Sequence, residues 1–576
     1  MVFVAPAWAR SLLPPTIPDN VAIEDFMYNE RHGRKPLASS RNPFTCGITG
    51  RSHPTAEVQQ RVDFMARALE KRVGWATSDG TEWDKVACIY SLNTIDYVPL
   101  TYAVHRLNGI VTPASAAYSA PELIHQLRAT SASVLFTCMA LLETALKAAT
   151  ATQIPRNRIF ILDMPGDSPS SLLTTVSALI EEGGKLPHLP PLPWVKGQGT
   201  RQVAYICFSS GTSGLPKGVV LSHHNIISNV AGGVAFEAYG RKLAGIDTQV
   251  GLGLLPFSHI YGLGIISHIL PWRGDEVVVL PKYKLDHMLT AVQKFKINQL
   301  PLVPPIMVQL LDNLKKCQEY DLSSVRIITS GAAPLGEETV EDIRKVWPNW
   351  KVGQGYGLTE NSPGVCTTSE HDVLPGSSGS ILPGIRCKLI DVDSKEVTEL
   401  ETPGELYVQS PSICLGYMND AKATAETIVW DADGRWLRTG DVVVMRRSSQ
   451  GNEHVVVVDR IKELIKTKGH QVAPAELEAH LLLHPFVADC AVIPVPEKYA
   501  GEVPKAFIVK SSSAGSKTDQ EVVVAIFKHV EEHKAKYKWL HSIEFITEIP
   551  KSPSGKILRR VLKDLEKEKR KLRFNL

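Results

Sequence analysis

Residues 209–218 read Ser-Ser-Gly-Thr-Ser-Gly-Leu-Pro-Lys-Gly and stand between two apolar runs. The run before them, Val203-Ala204-Tyr205-Ile206-Cys207-Phe208, predicts a buried strand. After them, Val219-Val220-Leu221 leads into Ser222-His223-His224-Asn225, which predicts a helix start. Hydroxyls, glycines and one ammonium between buried elements can surround a polyanion. Glycine permits close backbone approach, and N–H and O–H groups are the donors that phosphate oxygens require. The stretch is not a GxxxxGK[ST] loop, because Lys217 is followed by Gly218. Taken alone it has the composition of a surface turn; its meaning depends on what lies around it.

Outward from this loop, short apolar runs alternate with amphipathic stretches through about residue 330. Runs such as Val86 to Tyr90, Ser133 to Phe136 and Val277 to Leu280 predict strands. Val58 to Arg72 and Pro121 to Ala129 predict helices, the second with Ser119 as its cap. Such alternation points to parallel sheets covered on both faces. The proline-rich run from Leu186 to Val195 predicts an extended connector. After about residue 370, β-rich runs with Gly/Pro turns take over: Gly384 to Ile390, Gly404 to Val408 and Val455 to Val458. From about 460, strands mix with helices again, ending in a basic tail that predicts a solvated helix.

A chain of 576 residues is too long for one core and predicts several domains. A net charge of +3, from 63 basic and 60 acidic residues, argues against a nucleic-acid partner. The nine cysteines are scattered and form no CxxC pair, which predicts reduced thiols without structural zinc. Thr248 to Trp272 lacks Asp, Glu, Lys and Arg, but its prolines and glycines predict a buried strand–turn–helix rather than a membrane span. No cleavable leader is expected near Arg10 and Pro14-Pro15, and the ending Phe574-Asn575-Leu576 is a poor peroxisomal signal. A cytoplasmic protein without stable membrane insertion, monomeric or homodimeric, is the expectation.

Four further motifs follow the loop in order. Gln354-Gly355-Tyr356-Gly357-Leu358-Thr359-Glu360 offers an aromatic face for a purine, a hydroxyl for phosphate and a carboxylate for a hard cation. Thr439-Gly440-Asp441 offers a carboxylate able to accept both ribose hydroxyls. A dense charge run then extends from Asp459-Arg460-Ile461-Lys462 through Lys466-Thr467-Lys468-Gly469. Last comes Pro550-Lys551-Ser552-Pro553-Ser554-Gly555-Lys556, a lysine presented on a turn.

With these motifs in this order, the chain resembles the adenylate-forming superfamily of acyl-CoA synthetases, luciferases and peptide-synthetase adenylation domains. DRIKELIKTKGHQVAPAELE and PKSPSGKILRR are closest in wording to 4-coumarate–CoA ligases and fungal aryl- and acyl-CoA ligases. The resemblance implies an α/β fold with a large N-terminal domain of two α/β subdomains plus a small β-barrel, and a small hinged α+β C-terminal domain. The implied divisions are 1–460 (about 1–200, 201–370 and 371–460) and 461–576, with the hinge at Lys462. The implied reaction joins a carboxylic acid to ATP as acyl-AMP with release of pyrophosphate, then transfers the acyl group to CoA.

Carried over by position, the resemblance assigns Ser209, Ser210, Gly211, Thr212, Ser213 and Lys217 to the β- and γ-phosphates. Ser330 to Pro334, with Gly331 and Ala332, would wall the adenine opposite Gln354, Gly355, Tyr356 and Gly357. Thr359 would touch the α-phosphate, Glu360 would hold Mg2+, and Asp441 and Arg460 would secure the ribose. Lys556 would serve adenylation and Lys466 the thioester step. Lys282, Lys468 and Gly469 would meet CoA. His259 and Tyr261 would line the acyl pocket with Gly331 and Gly364. Ser258 and Gly364 stand where relatives carry larger residues, which predicts a roomier pocket for an aryl or longer acyl acid. Alternative readings are loading of a separate carrier protein, a luciferase-like oxygenase, or a catalytically dead nucleotide-binding scaffold.

Overall fold

A computed structural model describes residues 1–77, 79–166, 173–209, 216–333, 335–461, 463–467, 470–497, 500–552 and 555–574. Four sheets organise the described residues. In the seven-stranded sheet, Ile110–Ala114, Val86–Tyr90, Val134–Thr137 and Ile159–Ile161 run parallel, and Val203–Ser209 joins parallel to Ile110–Ala114. The order then turns antiparallel: Val203–Ser209 pairs with Lys217–Ser222, which pairs with Gly416–Tyr417. The strands on either side of the quoted stretch therefore pair antiparallel with one another, next to the parallel part of the sheet. The last pair in their register is Ser209 with Lys217.

The eight-stranded sheet has the order 380–381, 364–367, 351–357, 327–330, 299–302, 250–253, 276–279, 44–46. The five strands from Glu276–Val279 through Lys351–Gly357 are parallel, and Gly364–Thr367 returns antiparallel to Lys351–Gly357. The chain does not divide between these two sheets at one point near residue 200. Strands 203–222 extend the first sheet, whereas Phe44–Cys46 lies at the edge of the second. Edge strands are recruited wherever an unpaired row of N–H and C=O groups must be covered, whatever their place in the sequence.

The β-rich region is a six-stranded antiparallel sheet that includes Phe3–Val4 and centres on the 14-residue strand Gly434–Arg447. Strand Glu453–Arg460 still pairs with Gly434–Arg447, placing Arg460 opposite Asp441. The next strand, Ile465–Thr467, belongs to the five-stranded sheet of the small C-terminal part, so the chain changes sheets between Arg460 and Ile465. The molecule is thus α/β, with a large N-terminal and a small C-terminal domain.

Local chemistry sets the helices that follow. Ser222 caps helix His223–Leu243: its Oγ accepts from the Asn225 N–H at 3.1 Å, and the Asn225 side chain accepts from the Ser222 N–H at 2.9 Å. Helix Ala120–Thr130 starts at the expected Ser119 cap, completed by Glu122. The uncharged segment forms strand Val250–Gly253, then a π-helical run Tyr261–Ile269, then Leu270–Trp272. Among the described residues no helix is long and apolar enough to cross a membrane. All nine cysteines are buried free thiols. Just before strand Glu276–Val279 of the second sheet, Asp275 accepts two 2.8 Å bonds from Arg241 and one of 3.0 Å from Arg273. Burial pushes the Asp275 carboxyl up, but the two guanidiniums hold it below its usual range.

Candidate active site

The parallel strands of the second sheet carry most of the site at their carboxyl ends, as open α/β sheets do. Strand Ile327–Ser330 ends at Gly331 and Ala332, and strand Lys351–Gly357 carries Gln354, Gly355, Tyr356 and Gly357. Thr359–Asn361 forms a short turn of helix directly after it and holds Glu360. Ala332 adopts φ +69°, an uncommon conformation for a residue with a side chain. Such strain persists where surrounding structure over-determines the backbone. The Tyr261 ring lies so close to Gly331 that an added Cβ would sit 2.9 Å from its Cε1. The Tyr261 hydroxyl donates to the Thr329 carbonyl at 2.9 Å, fixing the ring across the strand end.

Across from these elements, the Tyr356 hydroxyl donates to Asp441 Oδ2 at 2.6 Å. Arg460 Nε lies 3.2 Å from Asp441 Oδ1. Asp441 is 4% exposed, and its burial raises the carboxyl against the opposing pull of Arg460, Tyr356 and Lys556. The same burial, with the Asp441 charge, drives the Tyr356 phenol well above its usual value. One carboxylate thus takes a phenol and a guanidinium at a strand pair that the register makes obligatory, Asp441 opposite Arg460.

Lys556 reaches this group from the C-terminal part. Its turn is tight: Gly555 N–H donates to the Ser552 carbonyl at 2.8 Å and Ser552 N–H to the Lys556 carbonyl at 2.8 Å. Gly555 has φ +80°, which a side chain would strain, and a Cβ there would stand 3.3 Å from Pro305. The turn therefore rests on the segment that opens helix Pro304–Asp312. Burial, with Arg460 next, pushes the Lys556 ammonium down to about 8, against Glu463, Asp441 and Glu360. His259 is pushed down to about 4, by burial first and then by Lys556, so it is a neutral imidazole near pH 7. Its Nδ1 lies 3.3 Å from the Tyr261 N–H. Lys556, Arg460, Asp441, Glu463, Glu360 and His259 consequently share one electrostatic neighbourhood.

Three partners were not evident in the sequence. The Tyr417 hydroxyl donates to Glu360 Oε1 at 2.7 Å. Lys217 pairs with Asp420 at 2.8 Å and lies 5.5 Å above the Tyr417 ring. Tyr417 and Asp420 come from Gly416-Tyr417-Met418-Asn419-Asp420, whose strand pairs with the arm that starts at Lys217. The signal available was an aromatic and an acid flanked by glycine and asparagine, the composition that also marks an ordinary turn. Glu463 is the third: Arg559 holds it at 2.9 Å while also bonding Glu478 at 2.6 Å.

Not every expected residue joins this group. Lys466 is an exposed residue of strand Ile465–Thr467, and Lys282 is exposed between strand Glu276–Val279 and helix Leu285–Phe295. Ser209 ends its strand. Ser210, Gly211, Thr212, Ser213, Lys462, Lys468 and Gly469 lie outside the described residues. Gly364 does not open the space expected of it. A Cβ there would meet Leu382 at 2.9 Å and Asn229 at 3.3 Å, so the missing side chain accommodates packing rather than leaving a hollow. Asn229 also brackets its backbone, accepting from the Gly364 N–H at 3.1 Å and donating to its carbonyl at 2.9 Å.

The family model of the AMP-binding enzymes matches residues 40–418, and that of the AMP-binding enzyme C-terminal domain matches residues 476–556. The chain is an AMP-binding enzyme. Among relatives of this AMP-binding enzyme, the acyl-CoA ligase easD of Emericella nidulans is 38% identical over 570 residues, covering 98% of this chain and all of that one. The acyl-CoA ligase frbB of Dothideomycetidae sp. is 41% identical over 527 residues, 90% of this chain and 92% of that one. ATP-bound MatB from Rhodopseudomonas palustris shares the fold with a TM-score of 0.78 at 22% identity, over 95% of this chain and 99% of that one. An anthranilate CoA ligase, AuaEII, in complex with anthranoyl-AMP also gives 0.78, at 23% identity, over 95% and 98%.

Proposed function

We propose that this AMP-binding enzyme is an ATP-dependent carboxylate–CoA ligase. A substrate carboxylate oxygen attacks the α-phosphorus of ATP, the bond to pyrophosphate breaks, and acyl-AMP forms. The CoA sulfur then attacks the acyl carbon, its proton passes to solvent, and AMP leaves. The observation that carries the reading is Lys556 seated beside Asp441, Arg460 and Glu360. Attack at phosphorus builds negative charge on nonbridging oxygens, and a cation already in place stabilises that charge most.

In this reading Asp441, held by Arg460 and Tyr356, accepts from the ribose hydroxyls. The Gly331–Ala332 strand end and Tyr356 enclose the adenine, while Ser209 to Ser213 and Lys217 take the leaving phosphates. Asp420 holds Lys217 until they arrive. His259 and Tyr261 meet the acyl group, and a neutral imidazole there orients a carboxylic acid without adding charge. Glu360 suits Mg2+: it is a hard oxygen donor whose Oε1 is oriented by Tyr417, and the ion would neutralise phosphate charge. The second half-reaction falls to Lys466, Lys468, Gly469 and Lys282, brought over the acyl-AMP by rotation about Lys462.

The test is to incubate the protein with ATP, Mg2+, CoA and a panel of aryl and medium- to long-chain acids. Acid-dependent pyrophosphate release with a matching acyl-CoA mass is expected. Pyrophosphate release that never yields a thioester with free CoA contradicts the reading.

A further inference from the structure

The C-terminal domain carries a feature that the ligase chemistry does not use. Helix Pro474–Leu482 and the residues just beyond it supply His480 and His484, four apart. Helix Asp519–His533 supplies His529 and His533, also four apart. Side chains at i and i+4 lie on one helix face, and these two faces meet. The His480 and His529 rings stack with centroids 4.1 Å apart, and His533 is 5.4 Å from His480 and 5.3 Å from His529. One ring nitrogen from each of His480, His529 and His533 lies within 4.8 Å of the others.

Backbone carbonyls orient all three rings. His480 Nε2 meets the His529 carbonyl at 3.2 Å and His529 Nε2 meets the His480 carbonyl at 3.1 Å. His533 Nδ1 meets the His529 carbonyl at 2.9 Å. A carbonyl oxygen only accepts, so each of these nitrogens bears a proton, and in the neutral ring the opposite nitrogen is the one with a lone pair to offer. Metal-binding histidines are held in this way, with the second N–H on a carbonyl or carboxylate. His484 packs edge-on to His529 and its Nδ1 accepts from the Phe486 N–H at 3.2 Å, which leaves it outside the trio. Glu476, the carboxylate one turn before His480, is occupied by Lys534 at 3.1 Å and Lys538 at 2.7 Å. The donor set is therefore imidazole alone, which suits zinc, nickel or copper and not the hard cations that ATP carries.

We infer that His480, His529 and His533 form a binding site for a divalent transition metal of the zinc class, bridging two helices of the C-terminal domain. Binding at Zn–N distances of ~2.0 Å would draw the nitrogens to about 3.3 Å apart and swing the stacked rings out of parallel. Exposed His533 leaves the remaining position open to water.

The test uses the full chain, its purification tag removed and any metal stripped by chelator, titrated calorimetrically with Zn2+ alone. Binding of one equivalent and a rise in Tm are expected. His529→Gln/His533→Gln together, and His480→Gln alone, should each weaken binding at least about tenfold. Both variants should keep carboxylate-dependent pyrophosphate release, which certifies their fold. Zinc affinity unchanged from the parent chain in both variants, or no saturable binding below about 100 µM in the parent chain, overturns the assignment.

Discussion

Lys556 is where burial and charge are most sharply opposed. With its ammonium pushed down to about 8, the cationic form is complete well below pH 8 and is lost as pH rises through that value. An unperturbed lysine would stay charged to about 10.4. The kcat/KM for ATP in adenylation should accordingly fall above about pH 8, read from pyrophosphate exchange across pH 6–10. Lys556→Arg, whose charge does not titrate there, should remove that falling limb whatever its absolute rate. Tyr417→Phe tests the neighbouring carboxylate. Losing the bond to Glu360 should raise the Mg2+ concentration giving half-maximal adenylation severalfold, because Glu360 is then free to turn away. Lys556, Glu360 and Asp441 stand out in the sequence because their neighbours in the chain are distinctive, and the fold brings these three together. Tyr417, Asp420 and Glu463 do not, since their roles come from strand pairing and from contacts across the fold.

At the scale of elements, the end of strand Ile327–Ser330 and the start of the π-helical segment are fitted to one another through Gly331 and Tyr261. Gly331→Ala should push the Tyr261 ring and raise the KM for the acid more than that for ATP, as steady-state kinetics with each substrate varied would show. The pair of guanidiniums on Asp275 is structural. Asp275→Ala leaves Arg241 buried without its carboxylate and Arg273 with Glu237 alone, and should cost about 3–5 kcal/mol in denaturant unfolding. Periodicity revealed the strands and helices of this region to within a few residues, including Thr55–Val73 and Ala120–Thr130. It did not reveal the antiparallel pairing across the 209–218 stretch, because the sequence on either side reads equally well as two separate buried strands. Nor did it show that Phe44–Cys46 crosses to the second sheet, since long-range pairing leaves no local trace. The space beside Gly364 is likewise hidden from local reading: Leu382, 18 positions on, fills it.

For the whole molecule, the decisive contact is the one that carries the Lys556 turn onto the large domain. Gly555 against Pro305 sets how closely the two parts approach, and Arg559 ties the turn to Glu463 and Glu478. A two-step reaction requires that this contact be made for phosphoryl chemistry and broken for thiol attack, since one static lining cannot serve both. The most direct measurement separates the half-reactions in Lys556→Ala and Lys466→Ala. Lys556→Ala should lower carboxylate-dependent ATP–pyrophosphate exchange by ~10²–10³-fold while still converting supplied acyl-AMP to thioester, and Lys466→Ala should do the reverse. If Lys556→Ala exchanges pyrophosphate at the rate of the unaltered protein, the central claim is wrong.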